Sequence, residues 1–174
     1  MASVRNVSRL NATALLAALG CAMLAGALAF QHLGDLAPCA LCIDQRKAWG
    51  AVIVLAALAL WAEGRGRTAA TLLLLGLAGV AAFAGAGVAL FHVGVEEKWW
   101  AGTAACGGGF DGFANGSVQE MRERLLARPV IRCDEIAWSF LGVSMAGWNG
   151  LVSLAAGAGA LYVVWRDMRK ERRS

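Results

Sequence analysis

Residues 68–93 read TAATLLLLGLAGVAAFAGAGVALFHV, and no Asp, Glu, Lys or Arg interrupts them before Glu96. A helix rises about 1.5 Å per residue, so a run of this length crosses a hydrocarbon core of about 30 Å in one pass. Working outward, three more apolar runs appear. Ala12 to Phe30 lies in the charge-free gap between Arg9 and Asp35. Ala48 to Ala62, bounded by Lys47 and Glu63, is too short alone. It reaches spanning length if the helix opens near Cys42, with Arg46 and Lys47 snorkelling toward the headgroups. A fourth run extends from about Ala137 to Trp165. These runs predict an all-α membrane protein, a four-transmembrane-helix bundle forming one integral membrane domain over residues 1–174. The expected spans are about 12–31, 43–62, 68–93 and 137–165, with a short first outer loop near 32–42 and a long second one near 94–136.

Composition agrees. The hydrophobic fraction is 59%, the charged fraction 16% and the mean hydropathy +0.58, against about 45–50% and about 25% for soluble domains. The 22 glycines suit close helix packing in lipid. The net charge of +4 does not form one basic face; the positives flank apolar runs, which excludes nucleic acid as the partner. Both ends of the chain and the Glu63–Arg67 turn share one side, rich in arginine through Arg65, Arg67, Arg166, Arg169 and Arg172. The positive-inside rule makes that side cytoplasmic. Most tryptophans fall near span ends, as an aromatic belt does, whereas Trp148 lies inside the fourth run and reads as a packing residue. A basic start followed by an apolar run also suits a secretory signal peptide, but the run exceeds the usual ~7–15 residues, so a retained helix is expected. Cys21, in its middle, reads as a small apolar core residue.

The long loop carries a capping box, Ser117-Val118-Gln119-Glu120, with Pro129 as its stop. A short amphipathic helix fits between them, lying on the membrane surface or packed on its own loop. Cys106, followed by Gly107-Gly108-Gly109, and Cys133 flank that helix. The first loop ends in Pro38-Cys39-Ala40-Leu41-Cys42-Ile43-Asp44-Gln45-Arg46. At the start of a helix, Cys42 and Arg46 share a face one turn apart, and the positive end of the helix dipole favours a thiolate. The four outer cysteines can be structural staples, a four-thiolate zinc site, or two redox pairs that exchange electrons. A Cys39–Cys42 staple closes too small a loop to stabilise much. A lone C-x-x-C with the other two sulfurs 27 positions apart is a poor zinc pattern, so no metal is expected. The remaining reading joins a loop pair to a membrane-edge pair.

Taken together, Pro38-Cys39-x-x-Cys42 with Arg46, the long-loop cysteines Cys106 and Cys133, and the four spans resemble the bacterial disulfide bond formation protein B (DsbB) family over essentially the whole chain. The resemblance implies a thiol:quinone oxidoreductase of the bacterial inner membrane, using ubiquinone or menaquinone. It also implies a DsbA-like periplasmic thioredoxin-fold protein as the partner. It casts Cys106 as the residue attacked by the reduced partner, and Cys133 as its disulfide partner. Cys39 and Cys42 become the second pair, and Cys42 the thiolate that faces quinone. Arg46 is then the cation that holds thiolate and quinone oxygen. His92 is a candidate for hydrogen bonding or proton relay at the level of the quinone headgroup, and Gln45 for bonding the quinone or the loop backbone. Glu96-Glu97-Lys98-Trp99-Trp100 is left for partner docking or loop anchoring. The quinone-reducing vitamin K epoxide reductases also pair a membrane C-x-x-C with loop cysteines, but theirs usually lies late in the bundle. The competing class is a non-enzymatic four-helix membrane protein whose outer disulfides are structural.

Overall fold

The structure, a computed structural model, describes residues 2–107 and 131–172. Four long helices make up most of it: α1 (Ala2–His32), α2 (Ala40–Gly64), α3 (Thr68–Glu96) and α4 (Met145–Glu171). All four are long and apolar enough to cross a membrane. The expected surface helix after Ser117 lies outside the described residues.

Each end has a local cause. Cys39 caps α2: it is extended, and its sulfur accepts a hydrogen bond from the Cys42 amide at 3.2 Å. Gly66, at φ 70°, turns the chain back between α2 and α3. The largest departure from expectation is the fourth run. Residues 137–144 do not continue the helix; Ser139–Phe140 pairs antiparallel with Val143–Ser144. Leu141 and Gly142, at φ 52° and 77°, make the tight turn between the two strands. Apolarity reports burial in lipid or protein and does not distinguish these few extended residues from helix. Ser144 then caps α4, its Oγ accepting from the Gly147 amide at 3.1 Å. Trp148 is therefore only one turn into α4, where its indole donates to the Phe140 carbonyl at 3.1 Å. It is a rim residue, not a mid-span packing one.

The bundle is built on small side chains. α3 packs against both α2 and α4, and α1 lies mainly against α2. Val52, Ala56, Leu75, Ala78 and Ala82 form the buried centre. A Cβ on Gly157 would meet the Gly79 carbonyl at 3.0 Å, so α3 and α4 touch through backbone. Large apolar side chains such as Leu15, Leu73, Leu90 and Leu151 point outward, as lipid contact demands. Cys21 is also exposed, so it is not the core residue expected.

One end of the bundle is closed by charge. Arg9 on α1 forks onto Glu63 at the end of α2, with Nε donating to Oε2 at 2.8 Å and Nη2 to Oε1. Asp167 on α4 lies 3.6 Å from the same guanidinium. All three are nearly buried. In the sequence these three are charges flanking apolar runs, and nothing in their spacing announces that they meet.

Candidate functional site

The cysteines gather at the other end. Cys39 and Cys42 place their sulfurs 2.7 Å apart. Cys106 and Cys133, far apart in sequence, are joined by a disulfide. Cys39, Leu41, Val95, Cys106 and Cys133 form one buried cluster, with Cys42 packed against it. Both cysteine pairs thus share one hydrophobic neighbourhood. The adjacent thiol and burial set Cys39 apart from Cys42, while the amide bonds of the cap act on Cys39 in the opposite sense. The bond to Cys42, and then burial, hold the Cys39 thiol far above the usual thiol range.

His92, one turn from the end of α3, stands at the centre. Its Nε2 lies 3.6 Å from the Cys39 sulfur and 3.9 Å from a Glu96 oxygen. Its Nδ1 lies 3.0 Å from the Gln45 side-chain nitrogen. The backbone of Cys133 also comes close enough to bond with the ring. The imidazole therefore stands between the Cys39 sulfur and the backbone of Cys133. Gln45 is engaged at both ends of its amide, by His92 and by Asn149 of α4. Trp49 donates to the Asn149 oxygen at 2.7 Å. Glu96, expected to be loop, is the last residue of α3 and accepts from the Ser144 hydroxyl.

Arg46 is half-buried and tied to α1, where Nη1 donates to Gln31 and Nη2 to the Ala27 carbonyl at 3.1 Å. Its charge acts on Cys42, a turn back along α2. Near Cys133, Arg132 forks onto Asp134 at 2.9 and 2.7 Å. The same fork holds the Asp134 carboxyl below its ordinary range. Trp100 folds back to donate to the Phe91 carbonyl at 3.0 Å and stacks on the Phe91 ring. The Glu96–Trp100 segment is thus in part an anchor between α3 and the loop.

A cavity of about 490 Å³ opens beside Cys42. Met23 and Phe30 of α1 and Val152 of α4 give it apolar walls, while Gln45, Arg46, His92 and Glu96 make its polar end. This is the mixture a flat, mostly apolar ligand with polar oxygens needs. A second cavity, about 630 Å³, borders Cys106 between Lys98, Trp100, Thr103 and Arg132. The sulfurs of Cys39 and Cys42 and a ring nitrogen of His92 lie within 4.8 Å of one another. Two thiolates on one zinc, with bonds of about 2.3 Å at tetrahedral angles, would stand about 3.8 Å apart. At 2.7 Å the pair is set for a sulfur–sulfur bond instead. Cys106 and Cys133 are bonded to each other and offer no free thiolate in this structure.

The structure brings Cys39, Cys42, Cys106 and Cys133, the cysteines singled out in the sequence, to one end of the bundle together with Arg46, Gln45 and His92. The same end also holds Trp49, Asn149 and Ser144, and Glu96, which the sequence marks only as part of the Glu96–Trp100 segment. Asn149 had a readable signal: it is an uncharged amide in an otherwise apolar run, and such a group needs a partner within the membrane.

Comparison with known proteins agrees with this arrangement. The family model for disulfide bond formation protein DsbB matches residues 9–163. A disulfide bond formation protein B of Polaromonas naphthalenivorans is 32% identical over 157 residues, covering 89% of this chain and 91% of the relative. One from Methylococcus capsulatus is 36% identical over 152 residues, covering 85% and 89%. No solved structure gives a significant match. With four membrane-spanning helices and two cysteine pairs brought to one end, the chain belongs to the DsbB family of disulfide bond formation proteins, multi-pass membrane oxidoreductases.

Proposed function

We propose that the whole chain acts as one membrane domain, a dithiol:quinone oxidoreductase of the bacterial inner membrane. Its termini would be cytoplasmic and both cysteine pairs periplasmic. It would reoxidise a DsbA-like thioredoxin-fold dithiol and pass the electrons to ubiquinone or menaquinone. The observation that carries this reading is the position of Cys42, Arg46 and His92 on one apolar cavity, against the cluster that contains Cys106–Cys133. The relatives' shared name, disulfide bond formation protein B, supports the coarser part of it.

The chemistry is thiol–disulfide exchange. A partner thiolate attacks Cys106, the bond to Cys133 breaks, and a mixed disulfide forms. The partner's second thiolate displaces Cys106, leaving the partner oxidised and Cys106/Cys133 reduced by two electrons. A second exchange re-forms Cys106–Cys133 and reduces Cys39–Cys42. The shared hydrophobic cluster supports that transfer, since neither pair has to travel far. The apolar walls and polar end of the cavity suit a quinone, and Arg46, His92 and Glu96 are the residues that would hold its oxygens. A quinone bound there would supply a two-electron, two-proton acceptor. Cys42 lines the cavity, and the fixed guanidinium of Arg46 favours negative charge where solvent is scarce. His92 sets a ring nitrogen 3.6 Å from the Cys39 sulfur.

The test is quinone reduction by purified protein supplied with a reduced thioredoxin-fold dithiol. Cys42→Ser and Arg46→Ala should abolish it while the helical circular dichroism signal survives. Normal turnover by both variants would overturn the assignment.

A further inference from the structure

Trp49, Asn149 and Gln45 form a single hydrogen-bonded line across α2 and α4 that ends on the imidazole of α3. Its first member has only one possible polarity: an indole N–H donates and cannot accept. The Asn149 oxygen must therefore face Trp49, which leaves the Asn149 nitrogen to donate to the Gln45 oxygen. The Gln45 nitrogen then faces His92 Nδ1 and donates to it at 3.0 Å. A neutral imidazole that accepts at Nδ1 carries its proton on Nε2. That nitrogen is the one aimed at the Cys39 sulfur, 3.6 Å away. Trp49, Gln45 and His92 are only 3%, 6% and 4% exposed, and Asn149 is half-buried on the wall of the cavity.

From this we infer that Trp49 and Asn149 are positioning residues, which act through Gln45 to hold His92 as the Nε2–H tautomer facing the Cys39 sulfur. The inference rests on the proposed role of Cys39–Cys42 as the working pair. When that disulfide opens with the electron pair of the broken bond leaving on Cys39, an Nε2–H pointed at that sulfur donates a hydrogen bond to the transient thiolate before it takes up a proton. The other tautomer would present a lone pair to the same sulfur and repel it. The polar line is thus set from its far end by a residue that never touches sulfur.

The chain has only two histidines, His32 and His92. Two-bond proton–nitrogen NMR of ring-labelled protein in micelles therefore reads the tautomer directly, with His32→Gln assigning the second ring. At mildly alkaline pH, where imidazoles are neutral, wild-type His92 should be wholly Nε2–H. Trp49→Phe, which removes the fixed donor, and Asn149→Leu, which breaks the line, should each bring in the Nδ1–H form. The kcat for dithiol oxidation should fall in step with the Nε2–H fraction, to roughly half where the two forms are equal, with KM unchanged. A wild-type ring that carries its proton on Nδ1 overturns the inference without any variant. So does a tautomer that stays undivided in both variants. The NMR needs neither dithiol nor quinone: a protein that shows the expected tautomers yet oxidises no dithiol overturns the functional reading and leaves the line standing.

Discussion

The two ends of the bundle both bury polar groups, and they do it in opposite ways. At one end Arg9, Glu63 and Asp167 meet as permanent charges from three helices, forked and nearly sealed from solvent. At the other, His92, Gln45, Asn149 and the cysteines form a line of groups that can stay neutral, and a cavity reaches them. Fixed charges that compensate each other hold helices together, but they have no second state to offer. Groups that can gain or lose a proton, left beside open space, can follow a change in sulfur oxidation state. The difference separates a clamp from a site.

The sharpest way to break this comparison is to remove a sulfur. Cys39→Ser should abolish dithiol oxidation while leaving thermal stability near wild type, because the clamp at the far end is untouched. Activity and melting measured on one preparation would show this, and a large drop in melting temperature would mean that the cysteine end also holds the fold. Next comes Arg9→Leu, which leaves Glu63 and Asp167 buried without their partner. Breaking a buried pair from one side costs roughly 3–5 kcal/mol, so denaturation in detergent should shift strongly, whereas quinone reduction by the surviving folded fraction should not.

Arg46→Lys should produce a smaller effect. Lysine keeps the charge but cannot fork onto Gln31 and the Ala27 carbonyl together. A cation no longer fixed at the cavity should raise the KM for a quinone analogue in steady-state assays about ten-fold, the equivalent of about 1.4 kcal/mol. The reduced pair should also react unevenly. With the Cys39 thiol held high by Cys42 and by burial, brief alkylation at neutral pH should mark Cys42 first, as peptide mass spectrometry would reveal. A raised pKa means less thiolate at a given pH, so Cys39 labelling should grow only as the pH climbs. The smallest change is Gly142→Ala, which forces an alanine to φ 77° in the turn before α4 and should cost about 1 kcal/mol of stability.

What could be read from the chain divides along the same line. The four helices were legible because length and hydropathy report directly on a 30-residue scale of burial, as in the uninterrupted run from Thr68 to Val93. Cys39, Cys42 and Arg46 were legible because they sit within two turns of one helix mouth, where spacing alone dictates proximity. The hairpin at Ser139–Ser144 was hidden, since its residues are as apolar as the helix that follows. Trp49, Asn149 and Glu96 were hidden for a different reason. Their meaning depends on the rotation and register of one helix against another, which periodicity does not reveal. The Arg9 clamp was concealed in the same way, its members appearing only as charges at span ends.

The most direct test of electron entry and exit is stopped-flow absorbance. Purified protein is mixed with a reduced thioredoxin-fold dithiol and a soluble quinone analogue, with wild type beside Cys106→Ser. Quinone absorbance should fall with wild type and stay constant with the variant, as required if electrons enter at Cys106–Cys133 and leave past Cys42. Equal loss with both proteins would contradict that route, and no loss with either would return the cysteines to a purely structural role.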